Sequence, residues 1–135
     1  MFTNFLIVYL TISFSQIIFS QGWFQLPSGT SYNLKSLCFT DINTGYVVCF
    51  NGTILKTTNG GLNWVSQPAG TSQNLYSVHF IGQTGYTVGG ASISVIFKTT
   101  NGGINWESHS GAGTNGLNDV FMESFTDTRK MILIK

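Results

Sequence analysis

Short apolar runs alternate with small clusters of Gly, Asn, Asp and Thr from residue 34 onward. Each run has the length of a β-strand, and each cluster contains residues that reverse the chain direction between strands. Runs such as residues 46–50, YVVCF, lack clean polar alternation, which indicates strands that are buried on both faces. The pattern predicts strands at residues 34–40, 45–50, 53–58, 62–67, 75–81, 85–90, 93–100 and 104–109.

The second half of this strand pattern repeats the first. Residues 56–64, KTTNGGLNW, return as residues 98–106, KTTNGGINW, with one conservative change. The period of 41 to 42 residues is typical of helical-pair repeats or of propeller blades, and the strand content favours blades. We therefore predict an all-β fold: a β-propeller fragment with two complete four-stranded antiparallel blades and part of a third.

The ends of the repeat are incomplete. Trp23 aligns with the outer strand of a further blade, so an isolated outer-type strand is expected there. A third unit opens at Leu117 and then departs from the pattern, so residues 123–135 are predicted to form an irregular C-terminal tail, either a final irregular strand or the product of a truncated reading frame. The predicted units lie at about 23–63, 64–105 and 106–122, within a propeller region of residues 21–122.

The N-terminal segment is apolar and uncharged apart from its terminal amine. The apolar stretch from Phe5 to Phe19 ends at the small residue Ser20. This pattern predicts a secretory signal peptide at residues 1–20, an exported mature chain and no stable membrane span after cleavage. The alternative is an uncleaved transmembrane anchor, which the short stretch and the lack of Lys or Arg flanks disfavour.

The repeated nonapeptide contains the residues of a hairpin turn. Gly takes positive φ without strain, Asn caps the turn, and the preceding Thr hydroxyl can bond to the turn backbone. The Trp that follows covers the hairpin with a large apolar face. Because the same residues occur in successive units, a structural role is favoured over a ligand cradle. The predicted structural turn residues are Thr57, Asn59, Gly61, Trp64, Thr99, Asn101, Gly103 and Trp106.

The pattern Thr-x-Asn-x-Gly-x-x-Trp resembles the Asp-box of BNR repeats, with Asn in place of Asp. The wider unit, including Leu-x-Ser-Val-x-Phe and Thr-Gly-Tyr, is similar to the photosystem II assembly/stability factor type of propeller. The resemblance implies a β-propeller related in shape to sialidases. It also implies that the boxes are structural turns between the third and fourth strands of a blade.

The charge pattern narrows the classes of function. Only 8% of residues are charged and the net charge is +1, which argues against nucleic acid or anionic membrane as a partner. The single arginine, Arg129, cannot form the arginine cluster that sialidase chemistry needs, and no motif places two carboxylates together. His79 and His109 lack further ligands at metal-binding spacing. We predict no catalytic residue, no metal site and no cofactor.

The two cysteines, Cys38 and Cys49, lie on consecutive predicted strands. A register that sets Phe39 opposite Val48 also sets the two cysteines opposite each other, which would allow a disulfide in an exported protein. The alternative is that both are small buried hydrophobic residues. Both interpretations are consistent with the sequence.

These observations predict a non-catalytic, exported β-propeller segment that serves as a protein-binding or assembly scaffold. One alternative is a fragment of a sialidase-type glycoside hydrolase, with its arginines in other blades. Another is a surface-structural or adhesin-like repeat protein. A two-blade arc exposes apolar sheet faces, so self-association through the open blades is also expected.

Overall fold

The computed structural model describes residues 25–109, 113, 115–124 and 129–134. The predicted signal peptide and Trp23 lie outside these residues, and residues 25–33 contain no strand. In the described part of the chain, no helix is long and apolar enough to cross a membrane. The strands are β1 (Leu34–Phe39), β2 (Gly45–Cys49), β3 (Thr53–Thr57), β4 (Val65–Pro68), β5 (Leu75–Ile81), β6 (Thr84–Gly90), β7 (Ser94–Thr99), β8 (Glu107–His109), β9 (Asp119–Ser124) and β10 (Arg129–Ile134).

The strands form two four-stranded sheets and one two-stranded sheet. The first blade has the order β1-β2-β3-β4, the second has β5-β6-β7-β8, and β9 pairs with β10. All neighbouring strands are antiparallel. This architecture confirms the predicted all-β propeller fragment with two blades and part of a third. The outer strands begin at Val65 and Glu107, three residues later than predicted, because the preceding residues are bonded within the repeated turns.

The register of β1 against β2 separates the two cysteines and corrects the predicted pairing. Phe39 pairs with Gly45, and Cys38 therefore pairs with Tyr46. Because Tyr46 and Cys49 are three residues apart on one strand, their side chains point to opposite faces of the sheet. Both cysteines are free thiols, and the predicted register is wrong.

The tight connection between β1 and β2 explains this register. The Thr40 N–H donates to the Thr44 carbonyl at 2.9 Å. Asp41 Oδ1 accepts hydrogen bonds from the N–H groups of Asn43 at 2.8 Å and Thr44 at 2.9 Å. These bonds close the loop within residues 40–44 and hold Phe39 opposite Gly45.

The segment after residue 122 is not an irregular tail throughout. Residues 129–134 form β10, which pairs with β9 from Arg129 opposite Ser124 to Ile134 opposite Asp119. Strand β10 covers one backbone edge of β9, and Leu133 of β10 packs against the apolar cluster beside it. Residues 129–134 therefore form a final strand, and its regular pairing with β9 corrects the expected irregularity.

Three apolar clusters occupy the faces of the sheets. One lies between the first and second blades and contains Tyr46 and Phe80. A second lies between the second blade and β9–β10 and contains Val88 and Val120. The third, around Leu55, lies on the opposite face of the first blade from the second blade. That third face is where the candidate site is found.

Candidate binding groove on the first blade

The repeated turn is held closed by two side chains. In the first blade, the Thr57 hydroxyl donates to Asn59 Oδ1 at 3.0 Å and accepts the Gly61 N–H at 2.9 Å. Asn59 Oδ1 also accepts the Asn63 N–H at 2.9 Å. Gly60 and Gly61 have φ values of 69° and 92°, which favour glycine at both positions.

The second blade contains the same bonds. The Thr99 hydroxyl donates to Asn101 Oδ1 at 2.9 Å and accepts the Gly103 N–H at 2.9 Å. Asn101 Oδ1 accepts the Asn105 N–H at 3.0 Å. The Thr and Asn oxygens of both boxes are thus bonded within the turn itself, as a structural element would require. Trp106 follows this turn and packs edge-on against Phe80, with ring centroids 5.7 Å apart.

A tyrosine from the first blade occupies the space beside the turn of the second blade. The Tyr46 ring stacks on Phe80 with centroids 3.8 Å apart. Its hydroxyl donates to the Gly102 carbonyl at 2.8 Å, and burial raises the pKa of this phenol above its ordinary value. A side chain at Gly103 would have its Cβ 3.0 Å from Tyr46 Cε1, so glycine makes room for the ring.

The matching space on the first blade is an open cavity of about 410 Å³, within the usual size range of ligand pockets. Phe39 takes the position of Phe80, and Trp64 packs edge-on against it with centroids 6.3 Å apart. We call this space the blade-1 groove. It is lined by Leu26, Ser28, Leu34, Lys35, Ser36, Leu37, Phe39, Val47, Leu55, Gly60, Gly61 and Trp64.

The exposure of equivalent residues shows that the groove is an uncovered copy of the interface between the blades. Leu37 and Phe39 are 58% and 43% exposed, whereas Val78 and Phe80, at the same positions of the second blade, are 3% and 6% exposed. The lining is apolar except for Ser28, Ser36 and Lys35, whose ammonium also lies 4.4 Å from the Phe50 ring centroid. An apolar concavity with one cation suits an apolar or aromatic segment better than a charged metabolite.

Several polar groups outside the groove have structural partners, whereas the buried Trp106 Nε1 has no hydrogen-bond partner among the described residues. His79 Nδ1 accepts the Met122 N–H at 3.1 Å, which links β5 to β9. Burial lowers the pKa of His79, and the Asp119 carboxylate opposes that shift. His109 is exposed at the end of β8. Backbone N–H groups bonded to the Asp41 carboxylate lower its pKa. Across the ranges that the structure describes, no three His, Cys, Asp or Glu residues are grouped so that they could hold a metal.

The sequence model of the photosynthesis system II assembly factor YCF48 matches residues 16–111. The chain belongs to this family. No match to a curated protein sequence is significant.

Two solved YCF48 structures resemble the chain. YCF48 bound to D1 peptide is 25% identical and gives a TM-score of 0.61, with 72% of this chain and 32% of that chain covered. YCF48 from Cyanidioschyzon merolae is also 25% identical and gives a TM-score of 0.59, with 67% and 30% covered. The chain therefore spans about a third of the length of these YCF48 relatives.

The blade-1 groove cannot be located from the sequence alone. Leu37 and Phe39 are strand residues as apolar as Val78 and Phe80 of the second unit, so the sequence does not show that their exposures differ. The repeat itself indicates that such a face exists. In a stack of two units, one sheet face of the first unit does not pack against the other unit. Which residues form that face depends on the side of the sheet that meets the second blade.

Proposed function

We propose that the chain is a non-catalytic, exported protein-binding segment of an assembly-factor propeller, and that the blade-1 groove is its binding surface. The observation that carries this proposal is the exposure of Leu37 and Phe39 around an apolar cavity. Exposed apolar patches with a polar rim are typical of protein interaction sites. The groove would hold an apolar segment of a partner protein.

The comparisons support a protein partner. One solved YCF48 carries a bound peptide, and the matching family is described as an assembly factor. The described residues lend no comparable support to hydrolysis. Asp41 accepts backbone hydrogen bonds in a turn, and Glu107 lies on a different blade at the start of β8.

Export is part of the proposal because of the apolar stretch from Phe5 to Phe19 and the small residue Ser20. Removal of residues 1–20 would leave Gln21 as the first residue of the mature chain, shortly before Leu26, the first described residue that lines the groove.

Peptide selection on two matched variants tests the proposed surface. Leu37→Glu places a carboxylate in the groove, whereas Leu62→Glu makes the same change at a leucine of similar exposure, 62% against 58%, outside the groove lining. A phage-displayed peptide library is selected on the full chain, and the enriched peptides are measured on both variants. We expect Leu37→Glu to abolish binding and Leu62→Glu to retain it. Equal binding to both variants would refute the proposed surface.

A further inference from the structure

Four Asn-Gly pairs occur in the chain, at residues 51–52, 59–60, 101–102 and 115–116. In such a pair the glycine nitrogen can attack the asparagine side-chain amide, because glycine has no Cβ to obstruct the approach. The nitrogen must lose its proton to do so, and an N–H group that is bonded to a carbonyl must first give up that bond. The hydrogen bonds of the four glycine N–H groups therefore rank the pairs by reactivity.

In three of the pairs the glycine N–H donates to a carbonyl of another loop. Gly60 donates to Asn43 at 2.9 Å, Gly102 donates to Gln83 at 2.9 Å, and Gly116 donates to Ala91 at 2.8 Å. The asparagines of the two repeated turns are held further, since each Oδ1 also accepts two hydrogen bonds within its turn. Cyclisation at these three pairs would break bonds that hold the loops together.

The Asn51-Gly52 pair differs from the other three. The Gly52 N–H donates no hydrogen bond to any residue in the ranges that the structure describes. Asn51 is exposed, and its Nδ2 donates a single exposed hydrogen bond to the Tyr32 hydroxyl at 3.0 Å. An accessible amide is thus followed by a backbone nitrogen that no described carbonyl holds.

The turn between β2 and β3 requires this dipeptide. Asn51 and Gly52 have φ values of 57° and 63°, and the Thr53 N–H donates to the Phe50 carbonyl at 3.4 Å. Two positive φ values are typical of a type I′ hairpin turn, which favours Asn followed by Gly. Gly52 is buried, and a Cβ there would overlap the Thr71 carbonyl. Packing therefore retains the glycine that makes Asn51 reactive.

We propose that Asn51 is a site of spontaneous deamidation, and that it is the one of the four asparagines that reacts while the protein stays folded. The Gly52 nitrogen forms a bond to Asn51 Cγ, the Cγ–Nδ2 bond breaks, and ammonia leaves with the proton of the Gly52 N–H. Water then opens the resulting succinimide at either carbonyl. The products are an aspartate or an isoaspartate at position 51. This proposal does not depend on the blade-1 groove.

Deamidation would change both the charge and the contacts of the turn. The new carboxylate removes the single net positive charge of the chain. A carboxylate cannot donate a hydrogen bond, so the contact with Tyr32 would persist only with the phenol as donor. The isoaspartate product also lengthens the backbone of the turn by one carbon, which disturbs the bond from the Asn51 N–H to Asn74 Oδ1 at 3.1 Å.

Incubation of the folded wild-type chain tests the proposal. The full chain is kept in mildly alkaline buffer while tryptophan fluorescence verifies that it stays folded, then digested with pepsin in acid and mapped by mass spectrometry. We expect Asn51 to lose its amide at least about 5-fold faster than the other three asparagines, the factor that corresponds to one hydrogen bond. Asn115 is the matched comparison. It is also exposed and has a φ of 80°, whereas the Gly116 N–H is bonded.

Incubation in concentrated urea is the control for effects of the local sequence. Without the fold, the four pairs should deamidate at similar rates, and the preference for Asn51 should disappear. Enzymatic methylation of isoaspartate provides a second measurement. It should label aged wild-type protein and not Asn51→Gln, whose longer side chain does not form the succinimide.

Several results would overturn the proposal. One is an intact Asn51 in the folded chain, or a rate at Asn115 that equals or exceeds the rate at Asn51. Another is a preference for Asn51 that persists in urea, because the local sequence and not the fold would then select the site. Isoaspartate that persists in aged, folded Asn51→Gln would assign the reaction to a different residue.

Discussion

The Tyr46 hydroxyl donates a hydrogen bond to the Gly102 carbonyl at 2.8 Å, across 56 residues of sequence. Tyr46 belongs to the second strand of one blade, and Gly102 belongs to the Asn-Gly-Gly turn of the next. The bond thus joins a hydrogen-bond donor in one repeat to an acceptor in the next repeat. The blade interface therefore has a polar anchor beside the apolar cluster that contains Tyr46 and Phe80.

Tyr46→Phe should reduce the free energy of unfolding by about 1 kcal/mol, because it removes this hydrogen bond and keeps the ring that stacks on Phe80. Chemical denaturation monitored by tryptophan fluorescence measures the change. Tyr32→Phe is the matched control, since the Tyr32 hydroxyl accepts an exposed hydrogen bond from Asn51. A larger loss in the control than in Tyr46→Phe would contradict the anchoring role.

Thr99→Val should cost about 1–3 kcal/mol of stability, because the Gly103 N–H loses its acceptor inside the fold. Thr99 is only 1% exposed, so water cannot readily replace the hydroxyl. Thr99→Ser keeps the hydroxyl and should recover most of the loss in thermal and urea denaturation. Thr100→Val, at an exposed neighbouring position, should change stability little. Similar effects at residues 99 and 100 would argue against side-chain closure of the turn.

Trp106→Ala should destabilise the fold by about 3–5 kcal/mol, because Trp106 packs against Phe80 in the interface between the blades. Trp64→Ala should cost less, since Trp64 lies in the open groove and only one side of its environment is packed. His79→Ala and His109→Ala should stay nearer to about 1 kcal/mol. Thermal melts of these four variants provide the ranking, and equal losses in all four would exclude it.

The attachment of β9 to the second blade should weaken in acid. Met122 donates to neutral His79 Nδ1, and burial lowers the pKa of His79 below its ordinary value near 6.5. The folded state then binds fewer protons than the unfolded state. The stabilisation that His79 contributes to the folded state is therefore present above pH 6.5. It is lost as the pH falls through the lowered pKa of His79 in the folded protein.

Urea denaturation between about pH 7.5 and pH 5 measures this dependence, which spans the ordinary histidine pKa. His79→Asn should flatten the acid side of the stability curve, since the amide does not titrate. His109→Asn, at the exposed end of β8, is the control and should leave the curve unchanged. If the stability of His79→Asn depended on pH in the same way as that of the wild-type protein, His79 would not contribute to the pH dependence.

The exported protein should begin near Gln21, because the apolar stretch of residues 5–19 is followed by the small residue Ser20. Mass spectrometry of material recovered outside the cytoplasm should show the loss of about twenty residues, the usual length of such a segment. Changing Ser20 to a bulky residue should reduce cleavage. A full-length product that stays in the membrane would contradict the signal peptide.

The sequence by itself determined the two complete blades of this chain and the positions of their turns. Each turn is closed by residues that are neighbours in the chain, such as Thr57, Asn59 and Gly61, so its chemistry is readable locally. The strands between the turns are contiguous apolar runs, and their recurrence after about 42 residues defines the repeat. Local hydrogen bonding and burial both act over short stretches, which is why this level of structure could be predicted.

Only the tertiary structure decided which side of each strand meets which neighbour. The separation of Cys38 from Cys49 depends on a loop closure that shifts the pairing along β2 by three residues. The formation of β10 depends on the edge that β9 offers and on the apolar cluster that receives Leu133. The groove exists because Leu37 and Phe39 lie opposite the face that packs on the second blade. Similar local sequences can be buried or exposed, because packing between distant segments, and not composition, determines what covers them.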